Sequence, residues 1–252
     1  MSLTHEQEER YARHLSLPEV GVSGQERLGA SRVLLVGVGG LGSAVGLYLA
    51  AVGVGTLGLV DDDVVALSNL QRQVLYRTAD IGRAKVDSAA EHLSALNPDV
   101  ALRTRRARLT AENAGRLMGD YDVVVDAADN LVTKFLIADT CHALSLPYSH
   151  AGIQRFTGQT MTVLPGRSTC YRCVFNGPPH TEANPVPQGP LGMLPGVIGC
   201  IQATEVVKVL LGLGDLLTDR LLTYDALALR FRCVPLKRNP SCPLCAHSAG
   251  EC

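Results

Sequence analysis

The chain has 252 residues, 46% of them hydrophobic and 19% charged, with a formal net charge of −1. The hydrophobic share is enough for a sizeable core, and the charge balance gives no case for a nucleic-acid partner or an anionic membrane surface. The N-terminal stretch MSLTHEQEERYARH lacks the apolar region of a signal peptide, and no apolar run reaches the ~20 residues that span a bilayer. A cytoplasmic protein is therefore expected.

Residues 1–30 read as an N-terminal helical arm. RVLLVG (32–37) reads as a buried parallel strand, residues 40–52 as the helix behind it, and TLGLVD (56–61) as a second strand ending in acids. A helix over 83–96 stops at Asn97-Pro98, because the residue before proline disfavours the helical region. VALRTR (100–105) alternates like a strand, and Thr110 caps a helix running to 118. YDVVVDA (121–127) is another buried strand, 130–144 a helix, and PYSHAG (147–152) leads a fifth strand. After about residue 155 the pattern changes to antiparallel strands at 158–164 and 220–236. Between them lie a Pro/Gly-rich crossover stretch at 177–196 and a helix at 197–212. The expected fold is α/β. A Rossmann-like, doubly wound, mostly parallel sheet (31–155) is extended by antiparallel strands (156–252).

Gly37, Gly39 and Gly42 in GVGGLG fit G-x-G-x-x-G, with Gly40 as an extra. Glycines there permit a tight turn and close approach to a phosphate, while the following helix supplies N–H donors. Asp61 ends the second strand, 19 residues past Gly42, where such a unit holds the ribose hydroxyls. Asp62 and Asp63 read equally as loop acids. To this point an NAD-binding oxidoreductase fits as well.

The segment SNLQRQVLYRTADIGRAK (68–85) favours a different chemistry. It concentrates Asn69, Arg72, Gln73, Arg77, Arg83 and Lys85 directly after the acids. A dehydrogenase has little use for these cations, whereas an enzyme that breaks a triphosphate uses them to neutralise developing charge. Asp126, Asp129 and Asn130 in VVVDAADN fall on the same carboxyl edge, where a carboxylate can hold Mg2+ between phosphate oxygens. Asp129 also reads as a helix N-cap.

In order, GVGGLG, VDDDVVALSNLQRQ, IGRAK and DAADN resemble the MoeB/ThiF/HesA family, bacterial relatives of the ubiquitin-activating enzymes. The likeness runs from RYARH (10–14) to NPSCPLC (239–245), and SNLQRQ is its most specific element. The resemblance implies a single adenylation domain over 1–252. Its activity would be ATP-dependent adenylation of the C-terminal glycine of a small ubiquitin-like sulfur carrier ending in Gly-Gly. It implies ATP contacts at the glycine loop, above all Gly40, and at Asp61 with Asp63 beside it. It carries them on through Ser68, Asn69, Leu70, Gln71 and Arg72 to Lys85, with Asp129 and Asn130 near Mg2+. The family's early arginine matches Arg13, which would enter the neighbouring subunit's site and make the enzyme a homodimer. Arg13, Arg72, Lys85 and Asp129 are the implied catalytic set, and their presence argues against a non-catalytic, partner-binding scaffold. The pathway, whether molybdopterin, thiamine or another sulfur-requiring product, stays open.

Eight cysteines in a chain expected to stay in the cytoplasm point to metal rather than disulfides. Cys170/Cys173 and Cys242/Cys245 form two C-x-x-C pairs, 68 residues apart, whose four thiolates suit a closed structural Zn2+ site. Thioredoxin-like redox pairs are the competing reading, but neither pair opens a βα unit. Relatives of the resembled family carry a cysteine in the crossover stretch, at the place of Pro185 here, and none occurs between Cys173 and Cys200. A covalent enzyme–carrier step is therefore not expected, and sulfur is expected from a separate donor protein.

Overall fold

The computed structural model describes residues 3–175, 177 and 189–246. Helices α1 (His5–Arg10), α2 (Ala12–Leu15) and α3 (Gly21–Ala30) precede β1 (Arg32–Val36), α4 (Gly40–Ala51) and β2 (Thr56–Val60). Two 3-10 turns, Leu67–Asn69 and Thr78–Asp80, lead to α5 (Lys85–Leu96), β3 (Ala101–Arg105), α6 (Ala111–Met118), β4 (Val123–Asp126) and α7 (Leu131–Ala143). The chain continues through β5 (Tyr148–Gln154), β6 (Thr157–Val163), α8 (Tyr171–Val174), α9 (Leu194–Leu211), β7 (Arg220–Asp225) and β8 (Arg230–Pro235).

Among the described residues the strands form one eight-stranded sheet in the order β3-β2-β1-β4-β5-β6-β7-β8. The first five are parallel and the last three pair antiparallel, as the change of pattern near residue 155 predicts. Period-two alternation splits β1 between two cores: Val33 and Leu35 join one, Leu34 and Val36 the other. Val123 and Val125 against Val124 divide β4 in the same way. The first core takes α3, α4, α5 and α9, and the second takes α6, α7 and three of the paired cysteines. The strand order reverses between β1 and β4, and this is where a doubly wound sheet opens a crevice at its carboxyl edge.

The helix expected over 197–212 starts earlier, at Leu194. Pro195 fits the first turn because its missing N–H has no helical partner there. Residues 194–196 therefore leave the crossover stretch, and positions 178–188, including Pro185, lie outside the described residues. By length and composition α9 is apolar enough to cross a membrane, yet half of it is buried inside the fold. Its polar residues are anchored there as well. Gln202 Nε2 donates to the carbonyls of Asp126 and Ser149, and the Glu205 carboxylate accepts from Thr162, Lys208 and the Leu217 N–H.

Candidate active site

Three loops converge where the strand order reverses. Gly37 adopts φ +93°, and a Cβ there would stand 2.6 Å from the Ala127 carbonyl oxygen, so the turns after β1 and β4 approach as only glycine allows. A Cβ on Gly42 would run into the Gly37 carbonyl oxygen, which ties α4 to the same turn. Gly39 and Gly40 begin α4, whose first N–H groups face the crevice.

Asp61 follows β2 directly. Its Oδ2 accepts from the Val38 N–H at 2.8 Å and its Oδ1 from the Asp63 N–H at 2.9 Å. Burial pushes its carboxyl above the ordinary value, and Lys85 and these two N–H groups oppose that only in part. Tyr76 holds the same residue by its next peptide group, its hydroxyl donating to the Val38 carbonyl at 2.7 Å. Burial and the nearby acids raise the phenol's pKa, so it stays a donor. Lys85 opens α5 and is buried, with Nζ donating to Asp63 Oδ2 at 2.8 Å and its backbone N–H to the Asp63 carbonyl at 3.0 Å.

Ser68 to Arg72 form a tight turn, closed where Asn69 Oδ1 accepts from the Ala66 N–H at 3.1 Å. Arg72 Nη1 donates to the Ser68 carbonyl at 3.0 Å, and the Arg72 stem and Pro195 stand over Gly40. Leu70 packs against the first core, and Gly192 fits closely against Gln71, so the start of α9 walls this side. Gln73 is buried beside Gly39, and its Oε1 has no partner among the described residues.

On the β4 side Asp129 is exposed. The helix cap is Asn130, whose Oδ1 accepts from the Thr133 N–H at 2.9 Å, so the reading of Asp129 as a cap is corrected. Among the described residues the Asp129 carboxylate meets only Asn130 Nδ2, at 3.5 Å. Asp126 differs, being fully buried and bonded to Lys134 and His150. Arg13 is exposed on α2 and is not brought to this edge. The neighbouring Tyr11 packs at the far ends of α4 and α5, against Gly53 and Asn97, about 18 Å along each helix from the crevice.

The four paired cysteines come together. Their sulfur atoms all lie within 4.8 Å of one another, with Cys170–Cys173 at 3.6 Å, Cys170–Cys242 at 3.5 Å and Cys173–Cys245 at 3.3 Å. No disulfide is formed, and a tetrahedron with Zn–S bonds of ~2.3 Å has sulfur–sulfur edges of about 3.8 Å. The set therefore fits zinc. The Asn239 N–H donates to Cys173 Sγ at 3.4 Å, and burial of the Cys242 thiol is outweighed by the N–H groups of Leu244 and Cys245, which draw it down to about 7.

The glycine turn, Asp61, Asp63, the 68–72 turn and Lys85 are joined by direct contacts, and the loop of Asp129 and Asn130 adjoins them through Ala127 against Gly37; Arg13 and the four cysteines lie elsewhere, and Arg83 is tied to Asp80 and Glu91. Tyr76, Lys134 and His150 were not anticipated as site supports, Asp126 was expected as an edge carboxylate open to Mg2+ but is buried against Lys134 and His150, and Gln73 was noted only as one polar residue in its segment. A Rossmann-like mixed sheet with a glycine crevice at its reversal point and a tetracysteine cluster defines the class. This chain belongs to the ThiF family, whose model matches residues 11–244. It is 48% identical over 251 residues to the SAMP-activating enzyme E1 of Haloferax volcanii, covering 98% of this chain and 92% of that protein. It is 45% identical over 252 residues to the sulfur carrier protein adenylyltransferase of Thermus thermophilus, covering 97% and 93%. The fold matches the crystal structure of E. coli MccB with MccA-N7isoASN at a TM-score of 0.84 and 22% identity, covering 94% of this chain and 74% of that one.

Proposed function

We propose that this protein adenylates the C-terminal glycine of a small ubiquitin-like sulfur-carrier protein, using ATP. The observation that carries the reading is the meeting of the glycine turn, Arg72, Lys85 and Asp129 at one sheet edge, in a chain 45% identical to a sulfur carrier protein adenylyltransferase. The carrier's terminal carboxylate attacks the α-phosphate, a new C–O–P link forms, and pyrophosphate leaves with the electron pair of the broken P–O bond. Little covalent work falls to the protein, which positions the ends and neutralises charge. The glycine turn and α4 hold phosphate oxygens, and Asp61 keeps free lone pairs for the ribose hydroxyls beyond its two N–H bonds. Lys85 exchanges Asp63 for a phosphate oxygen. Asp129 would hold Mg2+, with Asn130 beside it, and the ion when bound would supply positive charge to the phosphates. Cys170, Cys173, Cys242 and Cys245 would hold Zn2+ in a structural role.

The whole chain acts as one adenylation domain, as a cytoplasmic homodimer with Arg13 supplied in trans. The product is the acyl-adenylate, and sulfur comes from a separate donor. The test is ATP–pyrophosphate exchange in the presence of a carrier ending in Gly-Gly. Asp129→Ala should abolish exchange while leaving the thermal transition in place, and near-normal exchange in the folded variant removes Asp129 from the mechanism.

A further inference from the structure

A buried charge cluster lies directly behind the Asp129 loop. Lys134 and Asp126 are both nearly sealed from solvent, at 7% and 1% exposure. Lys134 Nζ stands 3.1 Å from Asp126 Oδ1 and 3.2 Å from Oδ2, and donates to the Ala151 carbonyl at 2.5 Å, so all three ammonium hydrogens have acceptors. Asp126 Oδ1 also accepts from the Ala128 N–H at 3.1 Å, and His150 Nδ1 lies 2.7 Å from Oδ2. Burial disfavours the imidazolium, so a neutral His150 donates from Nδ1 to the carboxylate.

The placement of these groups is informative. Asp126 is the last residue of β4 and Lys134 lies in the first turn of α7. Their ion pair joins the two ends of the loop 127–130, and a second bond, donated by the Ala128 N–H to Asp126 Oδ1, fixes the loop's start. The Asn130 cap fixes its end. Only Asp129, between these ties, turns its carboxylate to solvent. Stability alone is a poor reason for such a pair, because stripping water from two ions costs several kcal/mol each and an apolar pair of similar size does as well or better. What a buried, multiply bonded pair adds is a fixed direction for the loop.

We propose that Lys134 is a positioning residue, holding the 127–130 loop through Asp126 so that the Asp129 carboxylate is presented to the metal–nucleotide complex. This rests on the reading of Asp129 as a Mg2+ ligand. Two variants test it: Lys134→Met, and the paired Asp126→Asn/Lys134→Met, which strands no buried charge. The first readout needs no ligand, namely amide hydrogen exchange over residues 126–134. The second is ATP affinity by calorimetry, with Mg2+ and in EDTA.

Exchange at Ala128 and its neighbours should rise at least tenfold in either folded variant, and the gain in ATP affinity from Mg2+ should shrink about tenfold, the usual effect of losing an outer-shell support. Affinity in EDTA should stay within about twofold, and Lys134→Arg should restore part of the Mg2+ gain. A paired variant with a lowered Tm but unchanged loop exchange and Mg2+ gain overturns the proposal. So does failure of the paired variant to fold, which would make the cluster a determinant of folding. Asp129→Ala separates the two readings. If it keeps the Mg2+ gain, the metal role of Asp129 fails. If it loses the gain while the paired variant keeps it, only the positioning role fails.

Discussion

Tyr76 shows how one side chain can govern the nucleotide crevice from behind. Its hydroxyl and the Asp61 carboxylate bond the carbonyl and the N–H of Val38, the residue inside the glycine turn. Tyr76→Phe removes the hydroxyl's bond to the Val38 carbonyl and its longer contact, at 3.4 Å, with the Lys85 carbonyl, a loss of about 1–2 kcal/mol. Urea unfolding should register that loss, and, on the proposed phosphate-binding role of the turn in ground and transition states alike, the KM for ATP should rise with little change in kcat. Asp126 makes the complementary point about charge. Burial alone would raise its carboxyl, but Lys134 and His150 hold it below the ordinary 3.8. A depressed carboxyl adds stability above its unfolded pKa and loses it as pH falls through the folded value. From this group, Tm should stay level from neutral pH to about 4 and drop below it, and Asp126→Asn should flatten that acid-side drop.

At the scale of elements, the paired cysteines explain how the end of the described chain is fastened. Cys170 caps α8 and Cys173 lies within it, while Cys242 and Cys245 return after β8, a strand exposed along its whole length. Leu236, Leu244 and Ala246 pack partly against the second core, and the four sulfurs tie that return to α8. Metal analysis should find about one zinc per chain. Cys242→Ser should cost about 3 kcal/mol, roughly 6–12 °C in Tm, while leaving ATP affinity near wild type, since the sulfurs contact one another and the Asn239 N–H rather than the glycine turn. A folded, metal-free protein of full stability would rule out the zinc assignment.

For the whole molecule the decisive residue is Arg13. Tyr11 and Arg10 anchor its helices at the far ends of α4 and α5, so its guanidinium cannot enter its own crevice. A trans role therefore predicts complementation. Arg13→Ala and Asp129→Ala should each be inactive alone. Co-expressed, they should recover about a quarter of wild-type exchange, because half the dimers are mixed and each mixed dimer carries one intact site. No recovery would confine each site to one chain or exclude Arg13 from it.

The order of strands and helices, the switch to antiparallel pairing and the tight glycine turn after β1 were legible in the sequence. Each follows from local causes: period-two or period-3.6 burial, capping residues, and glycines where a Cβ would collide. The cysteine pairs and the cations of 68–85 were legible because their side-chain chemistry is specific wherever the fold puts them. Which residue capped α7 was not, since Asp129 and Asn130 differ by one position and only the backbone path selects Asn130. Tyr76, buried Lys134 and His150 were invisible too. Their partners, Val38, Asp126 and Ala151, come from other strands and turns, and only the assembled sheet removes the water that would otherwise satisfy them.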